Sequence, residues 1–564
     1  MKITRRIVPD AARSLVAAGI APVLARIYAS RGIVSAGELD HSLAALPDFG
    51  SLRNIAQAAE RLAAAIARRE RILIVADYDA DGATACAVGV RGLRMMGADV
   101  GFLVPNRFEF GYGLTPEIVE VAARDEPRLI VTVDNGIASV EGVAAAAGRG
   151  IDVLVTDHHL PGPELPTPAI IVNPNQPGCR FPSKNIAGVG VMFYVLCAVR
   201  ARLRDAGAFS GGAGPNLAAL LDLVALGTVA DVVRLDQVNR ILVEQGLARI
   251  RAGHAQPGVA ALFAAAGRDA RLATATDLGF VAGPRLNAAG RLADMSIGIR
   301  CLLADRPAEA LGLARELDRL NRERRDIEAS MQEEALAEVE AGQALADDDG
   351  YTLCVHRPQW HQGVVGIVAS RLKDRYHRPC IVFARSGDAE LRGSGRSIAG
   401  FHLRDALDLV AKRAPGTVTR FGGHAFAAGV SIPADALARF AETFESVARE
   451  WLPEAALHRR HESDGELGRG ELTVELCAAL RRQVWGQGFA PPTFDGSFQV
   501  VAQRSVGDGH AKLTLERDGE RYPAIAFRTP ATLPARIRAL YRPELNAWNG
   551  LQSVQLVIEA YADP

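Results

Sequence analysis

Ile72-Leu73-Ile74-Val75-Ala76-Asp77-Tyr78-Asp79-Ala80-Asp81-Gly82 joins a short apolar run to three aspartates at alternate positions. A run of Ile, Leu and Val that ends at a turn residue predicts a strand buried on both faces of a parallel sheet. The three carboxylates then lie where the chain leaves the sheet. Carboxylates this close repel one another, and burying them together is costly unless cations neutralise them. The stretch therefore predicts a metal site.

Two later segments repeat this arrangement. A predicted strand at residues 129–133 runs into Asp134, and another at residues 153–156 runs into Asp157-His158-His159. Helical segments alternate with these strands, which is typical of an α/β fold with a parallel, doubly wound sheet. The carboxyl ends of the strands in such a sheet lie along one edge, where ligands bind. We therefore expect acids from distant parts of the sequence to meet in one cleft.

Length, charge and cysteine content set the broad class of the protein. The chain has 564 residues, which predicts three or four domains of roughly 150 residues each. Lys+Arg 64 and Asp+Glu 65 give a net charge of -1, so a basic groove would have to arise from local charge distribution. Seven cysteines without a CxxC pair predict free thiols in a reducing compartment. No apolar run reaches the length of a membrane span, so we expect a cytoplasmic protein.

The candidate ligands indicate a particular kind of metal site. A single aspartate after a strand is most often a helix cap, and Asp134 alone could be that. Together with Asp231, which follows the apolar segment 217–229, the acids and imidazoles can hold two divalent ions. Neighbouring residues of an extended chain point to opposite sides, so at most one of His158 and His159 is expected to bind this metal pair. A carboxylate-rich set suits Mn²⁺ or Mg²⁺, and predicts metal-activated water attacking phosphorus.

The rest of the chain predicts further parts. Residues 279–291, which carry two arginines and an asparagine among small residues, are expected to form a loop. Four segments between residues 496 and 559 alternate apolar and polar residues, as the strands of a small β-barrel do. The predicted division is a helical lead-in at 1–70, a catalytic α/β domain at 71–304, a connecting helix at 305–345, a second α/β domain at 346–452 and a β-barrel at 453–564.

Several motifs also resemble those of a known superfamily. Four ordered motifs resemble those of the DHH phosphoesterases: Asp77-Tyr78-Asp79-Ala80-Asp81-Gly82, Val133-Asp134-Asn135-Gly136, Asp157-His158-His159 and Gly227-Thr228-Val229-Ala230-Asp231. The stretches 284–291, 360–371 and 421–429 are similar to the DHHA1 arrangement of the RecJ family, and the tail resembles the OB-fold of that family. The resemblance covers nearly the whole chain. It implies a single-stranded-DNA-specific exonuclease with 5′ to 3′ polarity, acting in DNA repair and recombination.

The resemblance assigns roles to individual residues. It implies that two Mn²⁺ or Mg²⁺ ions are held by Asp77, Asp79, Asp81, Asp134, His158 and Asp231. The implied catalytic residues are Asp79, Asp81, Asp134, His158, His159 and His424. The implied substrate-binding residues are Arg107, His159, Arg285, Asn287, Ser370, Arg371, Arg396, Gly422, Gly423 and His424. Arginine suits phosphate because its planar fork pairs with two oxygens, and a Gly-Gly turn offers backbone N–H groups to an anion.

The resemblance further implies a monomer that binds single-stranded DNA, with a single-strand-binding protein and a helicase as partners and no membrane association. Trp485, Phe489, Phe494 and Phe527 are the rings available in the tail for stacking on bases. One alternative is a DHH phosphodiesterase that acts on cyclic dinucleotides or nanoRNA, but such enzymes lack a C-terminal nucleic-acid module. Another is a non-catalytic single-strand-binding replication factor, in which decayed metal ligands would be expected. This chain keeps every motif acid and both histidines.

Overall fold

The chain divides by its internal contacts into two units. The first comprises Ile3–Arg319 with Glu462–Pro564, and the second is built mainly from Leu320–His461. The computed structural model describes residues 2–106, 113–209, 212–341, 350–387, 389–507, 509–527, 529, 532–548 and 551–562. None of the helices in these ranges is both long enough and apolar enough to cross a membrane.

A five-stranded parallel sheet forms the centre of the first unit. Its strands lie in the order Val100–Leu103, Ile72–Ala76, Leu129–Val133, Asp152–Thr156 and Ile170–Val172. The first strand of the sheet in chain order therefore lies between the second and the third. The topology switches between Ile72–Ala76 and Leu129–Val133, the position where open α/β sheets bind ligands. The predicted parallel α/β fold is confirmed.

Helices cover both faces of this sheet, so its central strands are buried. Leu73 and Val75 share a core with Ile118 and Val143 on one face, while Ile74 points to the helix Ala80–Met95 on the other. The helices of the first unit that precede the long helix are Ala11–Ala17, Pro22–Ala29, Ile55–Arg68, Ala80–Met95, Pro116–Ala122, Val140–Gly148, Gly188–Asp205, Leu221–Ala230, Gln237–Arg251, Pro257–Ala265, Ala275–Asp277, Gly283–Leu292 and Ser296–Leu303.

The prediction of a loop at residues 279–291 is wrong. The segment instead forms a π-helical turn, Leu278–Ala282, that continues into the α-helix Gly283–Leu292. Its glycines and proline suggested a loop, but the proline lies in the first turn of the helix, where its missing N–H group is not needed. Leu278, Ala282 and Leu286 are fully buried at helical spacing, so tertiary packing stabilises the helix.

The second unit contains a mixed sheet. Its strands lie in the order Arg420–Gly423, Ala427–Pro433, Glu390–Arg396, Cys380–Ser386 and Leu353–His356, and only the last two are parallel. The shorter helices of this unit are Val365–Tyr376, Leu403–Arg413 and Leu437–Trp451. The long helix Pro307–Glu340 begins in the first unit and ends in the second. Its residues Met331 and Ala335 share a core with Val368 and Leu372.

The C-terminal part of the first unit is a closed five-stranded barrel, consistent with the expected OB-fold. The strands follow one another around the barrel in the order Phe494–Val506, His510–Arg517, Glu520–Ala526, Leu551–Ala562 and Arg536–Trp548. The strand Arg536–Trp548 lies outside the four segments expected from alternation, because Pro543 interrupts its pattern and proline in a strand is uncommon. The helix Val474–Arg482 precedes the barrel.

The N-terminal lead-in is part of the barrel's core. Val23 and Ile27 pack among the buried residues of the barrel, and the ring of Tyr28 stacks on those of Trp485 and Phe489 with centroids 6.2 and 6.3 Å apart. The lead-in also contains a strand, Lys2–Arg5, where only helix was expected.

The four rings of the tail that are available for stacking on bases lie in different environments. Phe489 and Phe494 are buried, and Trp485 is partly buried against the core. Phe527 is 54% exposed. Of these four rings, Phe527 is therefore the one with a face open to a ligand.

Candidate metal centre

Two aspartates of the opening stretch, Asp79 and Asp81, are held by different backbone contacts. Asp79 caps the helix Ala80–Met95, with its Oδ1 accepting a hydrogen bond from Gly82 N at 3.0 Å. Asp81 is fully buried, and its two carboxylate oxygens accept from Gly188 N at 2.6 Å and Val189 N at 2.9 Å. These donors begin the helix Gly188–Asp205, whose N-terminus favours negative charge. The strand end and the helix start thus fix the carboxylates in place.

Two glycines allow the backbone segments of this site to approach closely. A Cβ atom at Gly82 would lie 2.5 Å from the carbonyl oxygen of Asp77. A Cβ atom at Gly188 would lie 2.7 Å from both Cβ and Oδ1 of Asp134. Real Cβ contacts are not this short, so any side chain at either position would displace an acidic residue of the site.

His158 lies at the meeting point of three acids from separate segments. Its Nε2 is 3.1 Å from Asp134 Oδ1, 3.5 Å from Asp231 Oδ2 and 3.9 Å from Asp81 Oδ2. Asp81 follows the first strand of the sheet and Asp134 the third, whereas Asp231 follows the helix Leu221–Ala230. Carboxylates far apart in sequence therefore converge, as the strand ends predicted.

Among the residues that the structure describes, potential ligand atoms form three overlapping groups, and within each group the atoms lie within 4.8 Å of one another. The groups are Asp77 with Asp79 and Asp134, Asp81 with His158 and Asp231, and Asp134 with His158 and His159. Asp134 and His158 each belong to two groups, so the arrangement has room for more than one ion. Carboxylate oxygens with a minority of imidazole nitrogens are ligands that suit Mn²⁺ and Mg²⁺.

The electrostatics of the centre also fit cations. Burial, together with the charge of neighbouring aspartates, raises the pKa of Asp134 and of Asp231 well above the usual value and that of Asp81 to about 7. His158 Nε2 and Asp231 Oδ2 are buried atoms that no hydrogen bond within the described part of the chain satisfies. Burying several carboxylates together is costly, and so is leaving buried polar atoms unpaired. A bound divalent cation neutralises the carboxylates and pairs these atoms. The residues present therefore fit the metal ions that the sequence implied.

The two neighbouring histidines are in opposite protonation environments. Burial lowers the pKa of His158 to about 4, which keeps its imidazole neutral. Burial also disfavours the charged form of His159, but the hydrogen bond to Asp157 and the charge of that carboxylate raise the pKa of His159 to about 9. The distance from His159 Nδ1 to Asp157 Oδ1 is 2.8 Å. The neutral His158 is thus suited to bind a metal ion, and the positively charged His159 is suited to bind an anion.

Asp157 was placed in the cleft by the sequence, as part of the motif that contains both histidines, but it was assigned no individual role. Its Oδ2 accepts a hydrogen bond from Ile137 N at 2.9 Å, and its Oδ1 accepts from the backbone N atoms of His158 and His159 at 2.7 and 3.0 Å. It fixes the turn that presents the histidines. An acid directly before His-His at a strand end was the signal available in the sequence.

Two predicted substrate-binding residues of the first unit support the protein itself. Asn287 Oδ1 accepts a hydrogen bond from Ala80 N at 2.9 Å and so holds the start of the helix that follows the acidic stretch. Arg285 is 7% exposed and donates to Val281 O at 2.6 Å and to Asp318 Oδ1 at 2.7 Å. Its charge is compensated inside the unit. A substrate role for Asn287 and Arg285 stays a prediction.

The other predicted substrate-binding residues that the structure describes, His159 apart, lie in the second unit. Gly422 and Gly423 end one strand of a hairpin, and the exposed His424 follows them and donates its backbone N–H to Ala427 O at 2.8 Å. Gly423 has a φ of 139°, which favours glycine. The predicted residue Arg107 lies outside the described residues.

Ser370, Arg371 and Arg396 form a second group in this unit. Ser370 and Arg371 lie on the helix Val365–Tyr376, where Ser370 Oγ donates to Gly366 O at 3.2 Å. Arg396 Nη1 donates to Ser394 Oγ at 3.0 Å, and its Nη2 would lie 3.0 Å from a Cβ atom at Gly366. The same helical turn therefore contacts Arg396 and carries Ser370.

Comparisons with known proteins cover the whole described architecture. Family models match at residues 71–228 for the DHH family N-terminal domain, at 349–450 for the DHHA1 domain and at 463–560 for the RecJ OB domain. The single-stranded-DNA-specific exonuclease RecJ of Dickeya dadantii is 52% identical over 548 residues, which is 95% of each chain. Crystal structures of RecJ from Thermus thermophilus are also similar. The Mn²⁺ complex has a TM-score of 0.85 at 30% identity and the Mg²⁺ complex 0.79 at 29%, with all of this chain covered and 79% and 78% of theirs.

The site is a buried cluster of carboxylates and imidazoles at the switch point of a parallel sheet, and such a cluster is typical of a metal-dependent phosphoesterase. The matched N-terminal domain assigns this phosphoesterase to the DHH class. The 52% identity to the Dickeya dadantii protein extends over nearly the full length of both chains, and it assigns the chain to one family within this class. The chain belongs to the RecJ family.

Proposed function

We propose that this chain is a metal-dependent exonuclease that hydrolyses single-stranded DNA stepwise from an end, with 5′ to 3′ polarity, in DNA repair and recombination. The observation that carries the proposal is the set of overlapping ligand groups, in which Asp134 and His158 each belong to two groups. The names of the relatives agree with it, since the Dickeya dadantii and Escherichia coli proteins are both named single-stranded-DNA-specific exonucleases.

In the proposed mechanism, Asp77, Asp79, Asp81, Asp134, His158 and Asp231 hold two Mn²⁺ or Mg²⁺ ions. The ions supply a water of lowered pKa and stabilise charge at the phosphorus centre. His158 binds as the neutral imidazole that its environment favours. His159, held as a cation by Asp157, donates a hydrogen bond to a phosphate oxygen and so orients the scissile group.

Residues of the second unit bind the sugar-phosphate backbone in this proposal. Arg371 and Arg396 pair with phosphate oxygens, and Ser370 donates from its hydroxyl group. His424 and the N–H groups of the preceding glycines meet the scissile phosphate. The remaining proposed contacts are those of Arg107, Arg285 and Asn287.

The activity is tested by digesting end-labelled single strands, duplexes and cyclic dinucleotides, each with and without a chelator. We expect single strands to be shortened from the 5′ end in Mn²⁺ or Mg²⁺ and to survive in the chelator. Duplexes should be resistant. Preferential cleavage of dinucleotides would contradict the proposal and favour the small-substrate phosphodiesterase.

Phe527 is expected to stack on a base of the bound strand. It follows the strand Glu520–Ala526, is 54% exposed, and meets the ring of His510 edge-on with centroids 5.2 Å apart. Stacking on one aromatic ring contributes about 1–3 kcal/mol, so Phe527→Ala should raise the Kd for single strands about tenfold. Fluorescence anisotropy in chelator measures this binding without cleavage.

Val501→Ala is the matched control, because Val501 is a partly exposed apolar residue of the same barrel, at 39%. It should leave the Kd unchanged. Equal losses in both variants would argue that Phe527 acts only through barrel stability.

The proposal extends to the organisation and setting of the protein. The five parts are 1–70, 71–304, 305–345, 346–452 and 453–564, and the protein acts as a cytoplasmic monomer. Seven free cysteines support a reducing compartment. A single-strand-binding protein and a helicase are the proposed partners, since they would supply and prepare the strand.

A further inference from the structure

Arg371, one of the proposed phosphate-binding residues, forms an ion pair with Glu328 of the long helix. Its Nε donates to Glu328 Oε1 at 2.9 Å. The Arg371 side chain is 53% exposed, whereas that of Glu328 is 9% exposed. Within the described part of the chain, neither Nη atom of Arg371 donates to a protein group. The inner edge of the guanidinium is therefore fixed, and the outer edge stays available for an anion.

Glu328 is itself fixed by a second arginine. Arg324 lies one turn earlier on the same helix, and its Nη1 donates to Glu328 Oε2 at 2.9 Å. Arg324 Nη2 donates to Asn321 Oδ1 at 3.1 Å, and the Arg324 side chain is 11% exposed. Each oxygen of the Glu328 carboxylate thus accepts from a different arginine. The carboxylate cannot rotate without losing one of these charge-assisted hydrogen bonds.

The charge balance of the three residues leaves one positive charge at the surface. A buried carboxylate requires a cation beside it, and Arg324 already meets that need. Because Arg324 already balances the charge of Glu328, the positive charge of Arg371 is not neutralised by this carboxylate. A pair of Glu328 and Arg371 alone would be neutral and would attract a phosphate less.

Packing between two helices sets the position of Arg371 relative to Glu328. Val368, Ala369 and Leu372 share a core with Met331 and Ala335 of the long helix. The neighbouring Ser370 bonds to Gly366 O, beside Arg396. The position of Glu328 therefore decides how the fork of Arg371 is turned relative to the other proposed phosphate-binding groups.

We propose that Glu328 is a positioning residue for substrate binding, which with Arg324 behind it orients the guanidinium of Arg371 toward a phosphate of the DNA strand. This inference rests on the proposed function. Glu328 does not touch the substrate and acts only through Arg371.

The first test is Glu328→Gln, which retains the shape of the side chain and removes its charge. We expect KM for a single-stranded oligonucleotide to rise about tenfold, because a phosphate contact through a charge-assisted hydrogen bond is lost or misdirected. Because Glu328 acts on a binding residue and not on a metal ligand, kcat should change less than about twofold. The matched control is Glu338→Gln. Glu338 pairs with Arg357 at 2.6 Å from the same helix, and no substrate role is proposed for either residue.

A double-mutant cycle separates positioning from a merely structural role. Arg371→Ala should raise KM, and adding Glu328→Gln to it should have no further effect. A Glu328→Gln effect that persists in the Arg371→Ala background would overturn the proposal, as would a wild-type KM in Glu328→Gln alone. Failure of the wild-type protein to degrade single strands would contradict the proposed function instead.

Glu328→Asp keeps the inference testable if the glutamine variant does not fold. The aspartate retains the charge beside Arg324 but is one methylene shorter, so it cannot reach both arginines. We expect a normal melting temperature and a raised KM. A normal melting temperature with unchanged KM would overturn the proposal.

Discussion

Asp134→Asn is expected to lower kcat on single-stranded DNA by roughly a thousandfold, while the Kd for the strand changes little. Asp134 belongs to two of the three ligand groups, so the loss of its charge weakens the binding of both proposed ions. Asparagine has nearly the same size, and the change therefore tests charge and not packing. Single-turnover digestion in Mn²⁺, beside anisotropy in chelator, separates catalysis from binding.

The same substitution should stabilise the protein when no metal is present. Burial and the surrounding aspartates raise the pKa of Asp134, which means that its charged form is disfavoured in the folded protein. Removing that charge relieves the repulsion, so the melting temperature in chelator should rise. The further rise on adding Mn²⁺ should shrink, because a weaker site gains less from ligand binding.

Asp152→Asn is the control for this experiment. Asp152 begins a strand of the same sheet, its side chain is 65% exposed, and it pairs with Arg61 at 2.7 Å. It lies at the amino end of its strand, away from the carboxyl edge. Wild-type kcat is expected. If Asp134→Asn still degraded DNA in Mn²⁺ or Mg²⁺, the two-metal proposal would be wrong.

Gly188→Ala is expected to reduce kcat by about a hundredfold through the addition of one methyl group. The new Cβ atom would lie 2.7 Å from Cβ and Oδ1 of Asp134, so either the helix or the carboxylate must move. A displacement of about 1 Å in a catalytic arrangement can cost this much in rate. The backbone N–H that Gly188 donates to Asp81 is retained, so the loss would report the position of Asp134.

Gly148→Ala provides the comparison within the same unit. Gly148 ends the helix Val140–Gly148, and a Cβ atom there would have no neighbour within 4 Å. Its kcat should be unchanged, with a slightly higher melting temperature because alanine restricts the unfolded chain. A Gly188→Ala variant with normal kcat would show that the site tolerates rearrangement. Melting curves with and without Mn²⁺ distinguish a distorted site from an unfolded protein.

Much of the fold follows from local sequence patterns. A strand such as Ile72–Ala76, covered on both faces, has to be continuously apolar, and its burial is nearly complete in the structure. The barrel strands show alternation because each has one inward face. Prediction failed where tertiary packing overrides local preference, as in the helix Gly283–Leu292. It also missed the strand Arg536–Trp548, whose proline breaks the expected pattern.

The sequence by itself determined which acids meet, because the carboxyl ends of parallel strands share one edge. Asp77, Asp79, Asp81 and Asp134 could be brought together on that rule, and the structure brings them together. Their assignment as ligands stays a prediction.

Only the tertiary structure decided the surroundings of each group. It paired Arg285 with Asp318 and turned Glu328 toward Arg371. Such pairings join side chains from separate segments, and no periodicity records them. Whether an arginine is free to bind phosphate depends on the carboxylate that folding places beside it, and that is a property of three-dimensional distance.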